Sequence, residues 1–434
     1  MVAPGGDMRI SRTDARDSAA RGGFLPPRRF YAQEFFEFEK QRLWPQVWHL
    51  VGRAAEIPNP GDWLTYDLHD LSVIAIRQRD RSVRAFHNTC PHRGNRLLNG
   101  RGHAERIPCQ YHCWVFDLDG SLSGVPEQGD LPTFSRRDYG LRPLHSEVVS
   151  GFIFAHQGDQ PEPIASWLDG LTAELDLYRF EEMACFLRRR LELRCNWKTC
   201  LDAFQEVYHV RGVHPQLLPG LKTARSTFGF YGVHSMMINP NGEESARGTG
   251  TEDDLDLLAA FRRSKAELGA IDISHLEESR LTANYQYHLF PNVTFNTHAT
   301  GCQLFRFLPH PSDPERCSVD VWFMERPCRD ADLAAEAVVE EFDLDRTTFG
   351  QTLDGFVPPA SAVSFGTDLV EIYGLALDQD FGLLPGVQRG LHSPGLGDLV
   401  LSSQERRIAH WNAMLDSFLD GPEFEDSWRL RFAA

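Results

Sequence analysis

Two short stretches constrain this chain more than anything else in its 434 residues: Cys90-Pro91-His92 and, after 16 intervening residues, Cys109-Gln110-Tyr111-His112. Each supplies one thiolate and one imidazole across a short turn. Two such turns facing each other can hold a two-iron cluster, both cysteines on one iron and both histidines on the other. Neutral imidazoles in place of two thiolates leave such a cluster less negative and easier to reduce, which suits electron transfer at moderate potential. Any fold for this chain must therefore bring the two turns face to face. A Cys2His2 set at these spacings can also hold a structural zinc. The neighbours argue against zinc: Arg93, Gly94, Tyr111 and Trp114 answer no zinc requirement, whereas Gly94 permits a tight turn.

Length and charge bound the rest. A chain of this size exceeds what one small cluster-bearing unit needs, so two domains are expected. Net charge is −17, from 44 Lys+Arg against 61 Asp+Glu, a poor match to nucleic acid or an anionic membrane. No apolar run approaches the length of a membrane span. Residues 1–28 read as a disordered lead-in. Met1–Gly23 has no apolar core and so is not a secretory signal, and Met8 is an alternative start. Nine cysteines are too sparse for a disulfide scaffold. Cys185, Cys195, Cys200, Cys302, Cys317 and Cys328 fall in no paired pattern and read as reduced thiols of a cytoplasmic protein. Cys113, between the second turn and Trp114, reads as a small buried hydrophobe.

Hydrophobic periodicity predicts a helix over about Arg29–Trp48, then short strands at Trp63–Tyr66, Leu71–Ile76 and Val83–His87. The two ligand loops interrupt this β-rich unit, which closes near Gly151–Ala155. The Pro- and Gly-bearing stretch Gln157–Pro163 reads as the boundary, giving units at 29–160 and 161–434. Beyond it, helices are expected at Asn196–Val213, Asp253–Leu268, Asp330–Thr347 and Ser402–Leu419. Strands are expected at Phe186–Cys195, Ala283–Leu289, Asn292–His298, Gly301–Pro309 and Cys317–Met324. The sum is an α+β chain whose second unit is an antiparallel sheet with helices packed on one side.

A second metal site is suggested by Asp202, Glu206, His209 and His214. Two histidines with a nearby carboxylate can serve a non-haem iron and leave coordination positions open. In a regular helix, residues five apart diverge by about 140°. Either the helix is distorted there, as at a π-bulge, or His214 lies past its end, which Pro215 makes natural.

These motifs together, C-P-H-R-G, C-Q-Y-H-C-W, D-G, then N-W-K followed by E-V-Y-H and a second histidine before Pro215, resemble the large (α) subunits of the Rieske non-haem iron oxygenases, the aromatic-ring-hydroxylating family. Most of the relatives have Gly where this chain has Cys113. The resemblance covers about Arg29 to Arg429 and implies a Rieske [2Fe-2S] domain followed by a catalytic domain of helix-grip, START-like fold. It implies Cys90, His92, Cys109 and His112 as cluster ligands and His209 and His214 as ligands of a mononuclear Fe(II). It further implies Glu206 as an electron bridge to His112 of a neighbouring subunit, with Asp202 as a supporting partner. A carboxylate from a late helix is implied as third iron ligand. Asp380 has the family's spacing to Val387-Gln388-Arg389-Gly390, and Asp378 is the alternative.

The resemblance implies a terminal oxygenase that hydroxylates an aromatic or alicyclic substrate with O2. Glutamate at position 206 is similar to the branch holding the quaternary-ammonium oxygenases, so oxidative demethylation of N-methyl or quaternary-ammonium compounds is the alternative. A non-catalytic Rieske electron carrier and a zinc-stabilised binding protein are the readings from other classes. The chain has no Gly-rich dinucleotide fingerprint and no ferredoxin cysteine run. A separate NAD(P)H-dependent flavin reductase, with or without a ferredoxin, is therefore implied, as is a head-to-tail homotrimer. Thr294, Asn296 and His298 would share one face of a strand and are candidates for the pocket.

Overall fold

In the computed structural model, residues 22–241, 272–326, 337–354, 356 and 367–433 are described. The chain starts by stapling its two ends together. Gly23–Leu25 pairs antiparallel with Leu399–Leu401 and with Arg431–Phe432, and Leu25 is buried. The expected disordered lead-in of 1–28 is thus corrected for its last seven residues; residues 1–21 lie outside the described part.

The predicted helix Arg29–Trp48 is a run of four short helical pieces, Pro27–Phe30, Gln33–Phe38, Glu39–Leu43 and Trp44–Gln46. Pro45 denies the last piece a backbone donor. The run buries Phe30, Phe35, Phe36, Leu43 and Trp44. Arg29 ties it to the C-terminal helix Arg406–Leu419, donating to Asp416 at 2.5 Å and Asn412 at 3.0 Å.

A seven-stranded sheet follows, ordered His49–Arg53, Phe152–His156, Pro143–Val149, Val83–His87, Leu71–Arg77, Asp62–Leu68, Arg101–His103. All its pairings are antiparallel. A small three-stranded sheet, Ile107–Pro108, Val115–Phe116 and Leu122–Gly124, carries the second ligand turn.

The second half is an eight-stranded sheet, ordered Thr227–Tyr231, His234–Pro240, Ala283–Leu289, Val293–Thr297, Gly301–Pro309, Cys317–Glu325, Ala184–Leu193, Val339–Asp343. Only its last pairing is parallel. Every residue of Gly301–Pro309 is buried, so the sheet is covered on both faces. On one face Arg306 donates to the carbonyls of Leu50 and Val51 in the first sheet, at 2.8 and 3.0 Å, while Asp320 neutralises it at 2.6 Å. On the other, Phe305, Phe204 and Phe381 form a ladder of rings, 4.6 and 6.0 Å between centroids, up to the long helix Thr367–Gly390. The result is an α+β chain.

Two expected helices are corrected. Asp330–Thr347 is a helix by its Glu and Ala content, but Val339–Asp343 is an edge strand on Ala184–Leu193, where Arg189 pairs with Glu340. Residues 330–336 of that prediction, and all of Asp253–Leu268, lie outside the described residues. Asn196–Val213 is two helices, Trp197–Asp202 and Val210–Val213. The break has a local cause. The Glu206 carboxylate accepts the backbone N–H groups of Tyr208 and His209, which a continuous helix would need for its own ladder.

Candidate metal centres

The two cysteine turns are built alike. In the first, the Gly94 N–H donates to the Cys90 carbonyl at 2.9 Å and the Cys90 N–H to that of Asn95 at 2.8 Å. In the second, the Cys113 N–H donates to the Cys109 carbonyl at 3.0 Å and the Cys109 N–H to that of Trp114 at 2.7 Å. The fourth residue after each cysteine is left-handed, Gly94 at φ +75° and Cys113 at φ +56°. Cys113 is therefore an exposed turn residue, not the buried hydrophobe expected, because a left-handed turn tip carries its side chain outwards.

Both cysteines are buried, and backbone N–H groups point at each sulfur: His92 and Arg93 at Cys90, Tyr111 and His112 at Cys109. His92 and His112 face each other with ring centroids 4.7 Å apart. Trp114 stacks on His92 at 4.6 Å, and Arg93 lies 5.3 Å over Tyr111. The Nδ1 atoms of both histidines are buried and have no hydrogen-bond partner. Two thiols surrounded by donors and two orphaned imidazole nitrogens at one tip are what a [2Fe-2S] cluster requires, and the donor set fits that group.

The second constellation draws on distant parts of the chain. His209 precedes the helix Val210–Val213, and His214 follows it with φ −122° and ψ 53°, outside the helical region. Of the alternatives left by the spacing, His214 lies past the helix end. Asp380 comes from the helix Thr367–Gly390. One ligand atom from each of His209, His214 and Asp380 lies within 4.8 Å of the others. Asp380 Oδ1 is 2.7 Å from His214 Nε2 and 3.6 Å from His209 Nε2. Asp378 stands elsewhere, accepting the Gly350 N–H at 2.9 Å.

The far nitrogens are held too. His209 Nδ1–H donates to Glu206 at 2.5 Å and His214 Nδ1–H to Gln379 at 2.8 Å. That fixes the tautomer in which each Nε2 presents a lone pair to the shared centre. Burial opposes charge on both rings, but Glu206 and Asp380 lift His209, and Asp380 and Gln379 lift His214, above the ordinary imidazole value. Two oriented imidazoles and one carboxylate fit a non-haem iron. The late helix is registered on the segment that leads to His209 and His214 by Gln388, whose Oε1 accepts from the Asn196 N–H at 2.9 Å and the Thr199 hydroxyl at 3.1 Å. Asp202 is half-buried with one carboxyl oxygen buried and unpartnered, and desolvation pushes its carboxyl up to about 8.

A cavity of about 370 Å³ opens beside this centre, lined by Glu206, His209, His214 and Asp380 and by residues of the sheet. Of the strand residues expected to share a face, Asn296 and His298 line it, and Thr294 is buried outside it. Sequence reasoning passed over Gln379, although it adjoins Asp380, and the sheet residues Gln286 and Gln303. It also passed over a second cluster, the buried thiols of Cys195, Cys200 and Cys317, with sulfurs of the first and last 3.8 Å apart. Hydrogen bonds from Cys200 and Cys317 draw Cys195 down to about 5. Cys185 and Cys302 are buried singly, and Cys328 lies outside the described residues.

Comparison with known proteins bears on both centres. A family model for the ring-hydroxylating α subunit (catalytic domain) matches residues 180–421, and one for the Rieske [2Fe-2S] domain matches residues 47–135. The carnitine monooxygenase oxygenase subunit of Acinetobacter baumannii is 32% identical over 384 residues, 85% of each chain. The glycine betaine monooxygenase oxygenase subunit of Pseudomonas aeruginosa is 33% identical over 202 residues, 46% of each chain, so the match spans about half of that relative's length. Among solved structures, a quaternary ammonium Rieske monooxygenase in complex with L-carnitine superposes with a TM-score of 0.70 at 20% identity, covering 93% of this chain and 99% of the other. Naphthalene 1,2-dioxygenase with indole bound superposes at 0.65 and 19% identity, covering 92% of each chain. At these identities the solved structures speak for the fold. The family match over more than half the chain, with the long alignment to the Acinetobacter subunit, settles the family: this chain belongs to the ring-hydroxylating α subunits, in which a Rieske [2Fe-2S] domain precedes a mononuclear-iron catalytic domain.

Proposed function

We propose that the chain is the terminal component of a multicomponent oxygenase that inserts oxygen from O2 into a small organic substrate. The observation that carries this reading is the presence of two complementary donor sets in one chain. Cys90, Cys109, His92 and His112 suit an electron-carrying cluster, and His209, His214 and Asp380 suit an iron with open positions beside a cavity. When bound, the iron supplies oxygen activation and the cluster supplies the electron that the iron alone lacks.

The chain's own residues do the positioning. Glu206 and Gln379 hold the histidine tautomers, and Asp380 faces both rings. Phe204, Val207, Val210, Leu217, Phe305 and Leu377 belong to the apolar part of the cavity wall. Glu206 accepts three local N–H groups and keeps lone-pair capacity for a fourth donor. We assign that donor to His112 of a neighbouring subunit in a head-to-tail homotrimer. In support, Tyr111 beside His112 is 54% exposed and Tyr208 beside His209 is 59% exposed, large rings left open next to each centre. Electrons are assigned to a separate NAD(P)H-dependent flavin reductase, directly or through a ferredoxin. A cytoplasmic location follows from that donor; no helix among the described residues is long and apolar enough to cross a membrane.

Relatives point to two substrate types: carnitine and glycine betaine by their names, and aromatics through 2-aminobenzenesulfonate 2,3-dioxygenase subunit alpha from Alcaligenes sp, 32% identical over 191 residues. The test is a single-turnover reaction of chemically reduced, iron-loaded protein with ¹⁸O₂ and a pooled panel of aromatic acids, alicyclics and N-methylated amines. Label in a product, or its loss as a methyl-derived aldehyde, supports the oxygenase. An intact cluster with no iron taken up at His209 and His214 supports the electron carrier instead.

A further inference from the structure

The cavity's sheet wall carries a row of amide side chains. Three adjacent strands place Gln286, Asn296 and Gln303 directly opposite one another, as register partners. One rung along, Asn239 and Asn284 are partners in the same way, and all five side chains line the cavity. Further along Gly301–Pro309 the same face carries Phe305 and Phe307, packed on Phe204. One rung along, outside the cavity, the same face continues with Ser235, His288 and Thr294, so what sets the cavity's part of it apart is that its polar groups are amides.

Its atoms are left unpaired. Gln303 is 1% exposed, and neither its Oε1 nor its Nε2 has a hydrogen-bond partner. Gln286 Oε1, Asn296 Oδ1 and Asn239 Nδ2 are buried and unpartnered as well, while Asn239 Oδ1 is taken by the Ser226 hydroxyl. Burying amides without partners is costly, so a face built this way is completed by something that enters the cavity. The unpaired atoms include both acceptors and donors, as amides present.

Charge narrows the class. Among the described residues lining the cavity there is no lysine or arginine, and His298 already has Glu325 at 3.1 Å. Apart from a bound iron, a carboxylate would meet no cation among these described residues. Among the described residues the aromatic side chains of the lining are Phe204 and Phe305, which pack on each other and form no cage for a quaternary ammonium.

We propose that this row of amides recognises the substrate, and that the substrate is a small neutral molecule carrying an amide, lactam, imide or urea group, held through its adjoining C=O and N–H edges. This deepens the oxygenase reading and rests on it. The test uses the iron-loaded holoenzyme and one shape-matched series: isoindolin-1-one (donor and acceptor), phthalide (acceptor only) and indane (neither), with L-carnitine and glycine betaine alongside. Binding is measured by calorimetry without O2, and turnover separately with ¹⁸O₂. The lactam is expected to bind about tenfold or more tighter than phthalide and indane. Gln303→Leu and, separately, Asn296→Leu should erase that preference while leaving cluster absorbance unchanged. No lactam binding at millimolar concentration, tighter binding of indane or either betaine, or a preference that survives both substitutions overturns the proposal. A lactam-selective cavity with no ¹⁸O incorporation into any compound would sink the oxygenase reading and leave only amide recognition by the row standing; an oxidised betaine would overturn this proposal and leave the oxygenase reading standing.

Discussion

The two centres are assembled by opposite strategies. The four residues facing one another at the cluster tip come from a single 23-residue stretch, Cys90 to His112, and their geometry is set by two backbone turns of one design. The residues of the proposed iron centre come from segments 166 positions apart, joined through tertiary packing that includes Gln379, Gln388 and the Phe204–Phe381 contact. A centre made of local turns can form whenever its small sheet forms. A centre made across a helix and a broken helix depends on the whole second domain being in register.

The largest expected effect tests whether the two are independent. His92→Ala should abolish the visible absorbance of the cluster and leave iron uptake at the second centre unchanged, by metal analysis. Asp380→Ala should empty the iron centre and leave the absorbance intact. Both should abolish turnover. Loss of both metals in either variant would show that the centres fold as one unit.

Next in size are the groups that orient the histidines. Gln379→Leu removes the acceptor for His214 Nδ1, and iron affinity should fall about 10–100-fold. Glu206→Gln keeps the shape but replaces a charged acceptor, and turnover should fall by about the same factor with both metals retained. Normal turnover in Glu206→Gln would remove it as the electron bridge. By contrast, Asp378→Ala should leave iron binding untouched and remove only the acceptor of the Gly350 N–H, costing about 1 kcal/mol by thermal melting.

How far each centre could be read in the sequence follows from the same contrast. The cluster motif is legible because every residue it needs, down to Gly94 and Trp114, sits within one window. His209 and His214 are legible as a pair, but their break in the helix is not: it depends on Glu206 capturing two backbone N–H groups, and a carboxylate in a helical pattern looks the same whether it faces solvent or its own backbone. Gln379 and the Gln286–Asn296–Gln303 row depend on strand and helix register, which no local pattern contains. Val339–Asp343 reads as helix because an edge strand can carry the charges that a surface helix also carries.

Asp202 extends the comparison to pH. Its folded-state value of about 8 lies above the ordinary 3.8, so the folded chain holds a proton that the unfolded chain releases. Stability is therefore fully present below the ordinary value and is lost as pH rises towards 8, by at most about 1.4 kcal/mol per pH unit. The thermal midpoint should fall between pH 6 and pH 8, and Asp202→Asn should flatten that slope. The cluster tip has no comparable buried acid, so bleaching of the cluster should not follow the same curve.

The smallest effect concerns the near-symmetry of the two cysteine turns. Gly94 and Cys113 occupy the same position in each, both left-handed, and a Cβ added at Gly94 would meet nothing within 4 Å. Only the backbone penalty therefore separates the two positions. For a side chain in the left-handed region that penalty is about 1 kcal/mol, partly offset by the greater freedom of glycine in the unfolded chain. Cys113→Gly should stabilise the tip and Gly94→Ala should destabilise it, by similar amounts of under about 1 kcal/mol, read as opposite shifts in the temperature at which the cluster bleaches. Equal and opposite shifts would mean that the turns carry the same load. If Cys113→Gly instead speeds bleaching, the third thiol contributes to the cluster's surroundings in a way that its exposed, left-handed position does not explain.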